Sequence, residues 1–169
     1  YRGCVPSKAL LHITNFLHQV EQASEWGITL SEPKIDTKKV EEWKRSVVKK
    51  LTGGLGQLCR QRKIRYVRGM AELTDAHTAR LKMHEGDTEE VGFEHAILAT
   101  GSAPNRIPGF PDSRRIMTSR QALNVGNVPE RLLVVGGGYI GLELGQVYAS
   151  LGARVTVVEM LPEILAGAD

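Results

Sequence analysis

The run Gly136-Gly137-Gly138-Tyr139-Ile140-Gly141 sits between a short β-branched stretch, Arg131 to Val135, and a segment in which Ile140, Leu142, Leu144 and Val147 are followed one turn on by Leu151. Three consecutive glycines end a strand and open a tight turn, and the apolar spacing after them is helical. Gly152 stops that helix, and Arg154 to Glu159 supplies a second strand. The result is the opening of a βαβ unit, which commits the chain to an α/β fold with parallel strands.

The spacing gives each glycine its own task. Gly136 permits the sharp turn, Gly138 lets a pyrophosphate reach backbone amides at the helix N-terminus, and Gly141, with Gly145, lets the helix pack closely on the strand. Tyr139 and Ile140 lie within this candidate dinucleotide-binding motif. Glu159 lies 23 positions after Gly136, at the end of the second strand. There its carboxylate accepts hydrogen bonds from an adenosine ribose and repels a 2′-phosphate, which predicts NAD rather than NADP. Arg154 stands at the wrong end of that strand to offset the charge. The alternative is a glycine-rich turn that holds no ligand.

Upstream, Leu10, Leu11, Ile13, Phe16, Leu17 and Val20 recur at three-to-four spacing, predicting a helix from Pro6 to about Val20 with Cys4 just ahead of it. A polar stretch from Gly27 to Asp36 leads to a second amphipathic helix, whose face is Val40, Trp43, Val47, Leu51, Leu55 and Leu58. Two antiparallel helices, a helical hairpin, are the simplest arrangement. Four short alternating segments follow, Ile64 to Val67, Ala71 to Thr74, Ala79 to His84 and Glu89 to Gly92, which read as an antiparallel meander. Ala96 to Ala99 is expected as a short buried strand ending at Thr100, Gly101 and Ser102. Pro104, Pro108 and Pro111 then mark a linker, after which Thr118 or Ser119 caps a short helix reaching Leu123.

The 169 residues, 41% of them apolar, exclude wholesale disorder, and a formal charge of +3 names no partner. Locally, Lys34 to Arg68 holds twelve Lys or Arg against Asp36, Glu41 and Glu42. Lys38, Lys39, Lys44, Arg45, Lys49 and Lys50 fall off the apolar face, as on a solvated side, and no aromatic residues are set among these six on that side for base stacking, so nucleic-acid binding is not expected. Leu132 to Ala153 is the one stretch resembling a membrane span, but its early glycines and Glu143 fit a strand, turn and helix better. The five histidines, His12, His18, His77, His84 and His95, make no metal-ligating spacing with Cys4 or Cys59, so no metal is expected. Two cysteines are too few for a disulfide framework and suit a reducing compartment. Cys59 is expected in the core. A first residue of Tyr rather than Met suggests a piece of something longer.

Gly3-Cys4-Val5-Pro6-Ser7-Lys8 places a thiol before a helix N-terminus with a lysine in the first turn. Both favour the thiolate, although a single cysteine in such a place is also a common buried structural residue. Tyr1 through Leu11 resembles the redox-active segment of the pyridine nucleotide-disulfide oxidoreductases, and nearly the whole chain is similar to the members of that family that oxidise dihydrolipoamide with NAD. Ala96-Ile97-Leu98-Ala99-Thr100-Gly101-Ser102 and Val134 through Gly145 carry the same resemblance.

The resemblance implies FAD and NAD as cofactors. It makes Cys4 the flavin-proximal thiol of a Cys-x4-Cys pair whose other member would lie two residues before Tyr1. It implies Lys8 as a buried ammonium near the flavin N5 edge, paired with Glu143, so that Cys4, Lys8 and Glu143 are the catalytic candidates. Tyr139 matches the aromatic residue covering the flavin face, with plain packing as its alternative, and an exposed helix position is the alternative for Glu143. Ala71, Thr100 and Gly101 match positions where backbone approaches FAD. Residues 1–101 would be a partial FAD-binding domain, 102–112 a linker and 113–169 the first part of an NAD-binding domain.

Further implications are a homodimeric intact enzyme, dihydrolipoamide carried on a lipoyl domain as substrate, no nucleic-acid or membrane partner, and a mitochondrial matrix or bacterial cytoplasm as location. Electrons would pass from dihydrolipoamide through the redox disulfide and FAD to NAD, while residues 1–169 by themselves are expected to be inactive. Glutathione or mercuric reductases share the Cys4 region but usually use NADP. A non-catalytic dinucleotide-binding remnant, or a basic helical module bound to a partner through Lys38 to Arg68, are the alternatives of another class.

Overall fold

The computed structural model describes residues 1–166. The chain divides into two compact units, one made of Tyr1–Thr52 with Pro104–Asp169, the other of Gly53–Ala103. Its elements in order are helix α1 (Cys4–Gln22), a single 3-10 turn (Ala23–Trp26), helix α2 (Thr37–Gln61), strands β1 (Gly69–Leu73), β2 (Thr78–Met83) and β3 (Thr88–Gly92), helix α3 (Ser119–Ala122), strand β4 (Arg131–Val135), helix α4 (Tyr139–Ser150) and strand β5 (Arg154–Val158). The architecture is α/β.

In the first unit β4 and β5 pair in parallel, with Arg131 opposite Arg154 and Val135 opposite Val158. The connecting helix α4 lies on one face of this pair, as the βαβ reading requires. Leu151 ends it, and Gly152, at φ +101, takes a left-handed conformation that a side chain would resist. Thr118 caps α3 through a reciprocal capping box with Gln121.

Leu10 of α1 meets Val147 and Tyr148 of α4, together with Leu123, Val125, Leu144 and Ala153, in one core cluster. Leu10, Val125 and Val147 are almost fully buried, each contributing about 1.5–3 kcal/mol. The Tyr148 hydroxyl is buried with no hydrogen-bond partner among the described residues. Burial, helped by the nearby Glu41 charge, pushes its ionisation up.

The expected helical hairpin does not form. The main partner of α1 is α4, and α1 meets α2 through side chains, among them the stacked rings of His12 and Trp43, 6.1 Å apart. Leu10 of α1 is buried against α4 while Phe16 of the expected apolar face is 61% exposed, and beyond Val40, which packs against the core, α2 turns a different face inward from the one its apolar residues suggest. Trp43 and Leu51 are exposed, whereas Glu41 and Lys44 are buried. Lys44 is therefore not on a solvated side. Its ammonium donates to both Glu41 carboxylate oxygens at 2.8 Å and to the Leu123 carbonyl at 2.5 Å, while Glu41 accepts from the Val125 amide at 3.1 Å and from Arg45 Nε at 2.8 Å. Burial by itself would raise the Glu41 carboxyl. The bonds and charge of Lys44 and Arg45, with the Val125 amide, outweigh it and hold the carboxyl below its usual range.

In the second unit β1, β2 and β3 form an antiparallel meander in sequence order, with Ala71 opposite Leu81 and Ala79 opposite Val91. Three of the four expected segments become strands. Ile64 to Val67 runs without strand pairing into β1. Ala96 to Ala99 is neither a strand nor buried, and Ile97 and Leu98 are largely exposed. A four-residue apolar segment becomes a strand only when a neighbour takes up its backbone hydrogen bonds, and none of the described strands lies beside it.

Candidate functional site

Cys4 is the first residue of α1 and exposed, so it is not a structural core thiol. Gly3 caps this helix without a side-chain bond, and the Ser7 amide donates back to the Gly3 carbonyl at 3.0 Å. One turn on, Lys8 forms an ion pair with Glu143 of α4, a residue 135 positions away. The α1 and α4 packing through Leu10 and Val147 sets these two side chains facing one another. The ammonium is not buried as expected. The Lys8 side chain is 63% exposed and that of Glu143 30%, so the pair is screened by solvent and adds little to stability. Glu143 is a paired, half-buried residue, and Tyr139, 71% exposed, is no core packing residue.

Around the glycine turn the structure shows why each position has no side chain. Gly136 has φ +107. A Cβ on Gly141 would stand 2.2 Å from the Gly136 carbonyl oxygen and 3.1 Å from Val134 Cγ1, so the helix could not seat against β4. Gly138, the N-cap of α4, has nothing within 4 Å of where a Cβ would be. Above it is open space at a helix N-terminus whose first amides lack intrahelical partners, the environment an anionic pyrophosphate needs. These residues fit a dinucleotide.

Glu159 follows β5 directly. Its carboxylate accepts from the amides of Gly137 at 2.7 Å, Met160 at 2.7 Å and Leu161 at 2.9 Å. The bonds from Leu161, Gly137 and Met160 hold the carboxyl below its usual range, so it is charged at neutral pH. Spacing along the chain points this charge at a ribose and carries no sign of its engagement with the turn itself.

The structure thus brings Lys8 to Glu143 and Glu159 to the glycine turn within one unit. Ala71, exposed in β1, and Thr100 and Gly101, in the extended stretch after β3, belong to the second unit, where Gly101 has φ +77. Cys59, expected in the core, is only half-buried near the end of α2. The Glu41, Lys44 and Arg45 cluster is likewise not legible along the chain. Its only signal was opposite charge at i,i+3 and i,i+4 spacing, which more often marks an exposed helix face. Among the described residues no three His, Cys, Asp or Glu side chains gather into a metal site, and no helix is long and apolar enough to cross a membrane.

Two curated relatives share close to half of the aligned residues. The chain is 48% identical over 166 residues to dihydrolipoyl dehydrogenase of Geobacillus stearothermophilus, covering 98% of this chain and 35% of the relative. It is 47% identical over 169 residues to dihydrolipoyl dehydrogenase 2 of Haloarcula marismortui, with the same coverage. The crystal structure of LpdA from Mycobacterium tuberculosis superposes with a TM-score of 0.80 at 27% identity, over 95% of this chain and 36% of that one. The chain therefore spans about 35% of the length of the curated relatives it matches. The family described as pyridine nucleotide-disulphide oxidoreductase matches residues 1–169. With its thiol-bearing helix start, its glycine turn and that unbroken match, the chain belongs to the pyridine nucleotide-disulphide oxidoreductase family.

Proposed function

We propose that this chain is part of a flavin-dependent disulfide oxidoreductase of the dihydrolipoyl dehydrogenase type, carrying its redox thiol and the opening of its NAD site. In this reading residues 1–101 contribute to the FAD-binding part, 102–112 link, and 113–169 begin the NAD-binding part. The observation that carries the proposal is the Lys8–Glu143 ion pair, which joins the turn after Cys4 to the helix that follows the glycine run. A helix packing that served only burial has no need of opposite charges at that point.

FAD, when bound, supplies the two-electron relay between a dithiol and a nicotinamide. This chain's residues do the rest locally. Cys4 presents an exposed thiol at the first turn of α1, and Glu143 holds the Lys8 ammonium in place to offset negative charge beside it. The amides at the N-terminus of α4 receive a pyrophosphate, Glu159 accepts from the ribose hydroxyls, and Tyr139 stands exposed at the entry. The substrate is dihydrolipoamide on a lipoyl domain, the intact enzyme is a homodimer, and the location is a mitochondrial matrix or bacterial cytoplasm.

The test uses the native polypeptide carrying this sequence, purified with its flavin. Dihydrolipoamide is expected to drive NAD reduction in the wild type and not in Cys4→Ser, and the long-wavelength absorbance of the dithiol-reduced protein disappears in the variant. Lipoamide turnover persisting in Cys4→Ser refutes the assignment. A preference for NADPH with oxidised glutathione or mercuric ion favours the related reductases.

A further inference from the structure

Gly137 is the one glycine of the turn that is buried, with Gly136 half-buried and Gly138 exposed on either side. What buries it is the short segment after β5. The Gly137 amide donates to Glu159 Oε2 at 2.7 Å, and its carbonyl accepts from the Leu165 amide at 2.9 Å. A Cβ at Gly137 would lie 2.9 Å from Ile164 Cγ2 and 3.3 Å from Glu159 Cβ. One residue is thus held at its donor, its acceptor and its α-carbon by three residues that lie within seven positions of each other.

The segment bears a cost to do so. Leu165 has φ +57, one of only two non-glycine residues among those described with a positive φ. That left-handed conformation disfavours a leucine and persists where the surroundings impose it. Ile164, whose side chain packs over the α-carbon of Gly137, is 59% exposed, so core burial does not explain its placement. On the other side the Gly136 amide donates to the Val158 carbonyl at 2.8 Å, tying the start of the turn to the sheet.

We propose that residues 159–165 form a brace that holds the Gly136–Gly138 turn in its nucleotide-receiving shape before any ligand arrives, with Ile164 and Leu165 as positioning residues for the dinucleotide. The inference rests on the NAD reading of the glycine turn. The brace fixes the peptide planes on both sides of Gly137, and so the direction in which the free amides at the N-terminus of α4 point. Binding then does not have to order a three-glycine loop, which would otherwise reduce affinity. Glu159 acts here through its carboxylate on the Gly137 amide, in addition to any contact with ribose.

The test compares Leu165→Pro, which removes the donor amide and cannot adopt φ +57, with Leu165→Gly, which keeps the amide and accepts that φ, and adds Ile164→Ala. In the native flavoprotein two quantities are read for each variant: hydrogen exchange across Val135–Tyr139 without nucleotide, and the NADH dissociation constant. Leu165→Pro and Ile164→Ala are expected to speed exchange and to weaken NADH by about three- to tenfold, the range of one lost hydrogen bond or packing contact, with flavin absorbance unchanged. Leu165→Gly stays within about twofold of wild type on that scale. Unchanged exchange in Leu165→Pro overturns the brace whatever happens to NADH. Faster exchange with unaltered NADH affinity also overturns it as a positioning device. A wild type that binds no NADH instead refutes the NAD reading, while the exchange measurement still decides whether the brace shapes the turn.

Discussion

Lys44→Met removes the cation from the buried cluster while keeping most of the side chain's length and apolar bulk. In the wild type the ammonium bonds both Glu41 oxygens at 2.8 Å and the Leu123 carbonyl at 2.5 Å, with side-chain exposures of only 8% for Lys44 and 10% for Glu41. Truncating one member of a buried pair costs about 3–5 kcal/mol because the other charge is left in a poor solvent. Here Arg45 and the Val125 amide remain on Glu41, but Arg45 is 68% exposed and its support is screened. The expected loss is therefore about 3 kcal/mol, at the lower end of that range. Adding Glu41→Gln removes the stranded charge and keeps an acceptor for Val125, so the double variant is expected to be more stable than Lys44→Met. The assay is urea unfolding followed by the fluorescence of Trp43, next in sequence to Lys44 on α2. A Lys44→Met loss below about 1 kcal/mol, or a double variant no better than the single one, refutes the picture of a desolvated pair.

Glu41 also sets a pH dependence. Its folded-state carboxyl lies below the ordinary value of 4.5, so its stabilisation is complete above that value and fades as pH falls through the folded one. Wild type should lose stability more steeply than Glu41→Gln below about pH 5, as read by urea midpoints across pH. Gly141→Ala meets backbone at 2.2 Å, whereas a Cβ on Gly145 finds ordinary contacts at 3.5 and 3.7 Å. Thermal unfolding should therefore show a loss of about 1–3 kcal/mol or more for the first and little for the second, with NADH binding lost only in the first. Tyr148→Phe removes a buried hydroxyl without a partner and is expected to leave stability unchanged or raise it by up to about 1 kcal/mol, measured the same way. Glu159→Ala should weaken NAD and narrow its advantage over NADP in equilibrium titrations, since it removes a ribose acceptor, a repulsive charge and a bond to Gly137.

Local chemistry made the βαβ opening readable along the chain. A strand, three glycines, a helix ended by Gly152 and a second strand follow from positive φ, close approach and periodicity, all of which involve neighbours in sequence. The Thr118 cap and the start of α1 at Cys4 and Pro6 are local in the same way. The inward face of α2 was not readable. Its apolar residues mark one stripe, but the burial of Glu41 and Lys44 depends on the Leu123 carbonyl and the Val125 amide, which lie about eighty positions downstream and offer partners no helical pattern reveals. Ala96 to Ala99 failed as a strand for the converse reason, because apolar composition cannot supply the neighbouring backbone a strand requires.

For the site, residue order along the chain establishes which groups are present: a thiol at a helix start, a lysine one turn on, glycines spaced for a pyrophosphate and an acid ending the next strand. What those groups touch follows from how the elements pack. It placed Lys8 against Glu143 through the packing of α1 on α4, and it turned Glu159, Ile164 and Leu165 back onto Gly137. Hydrogen bonds and charges act over a few ångströms whatever the separation along the chain, so their partners are fixed by the fold and not by spacing.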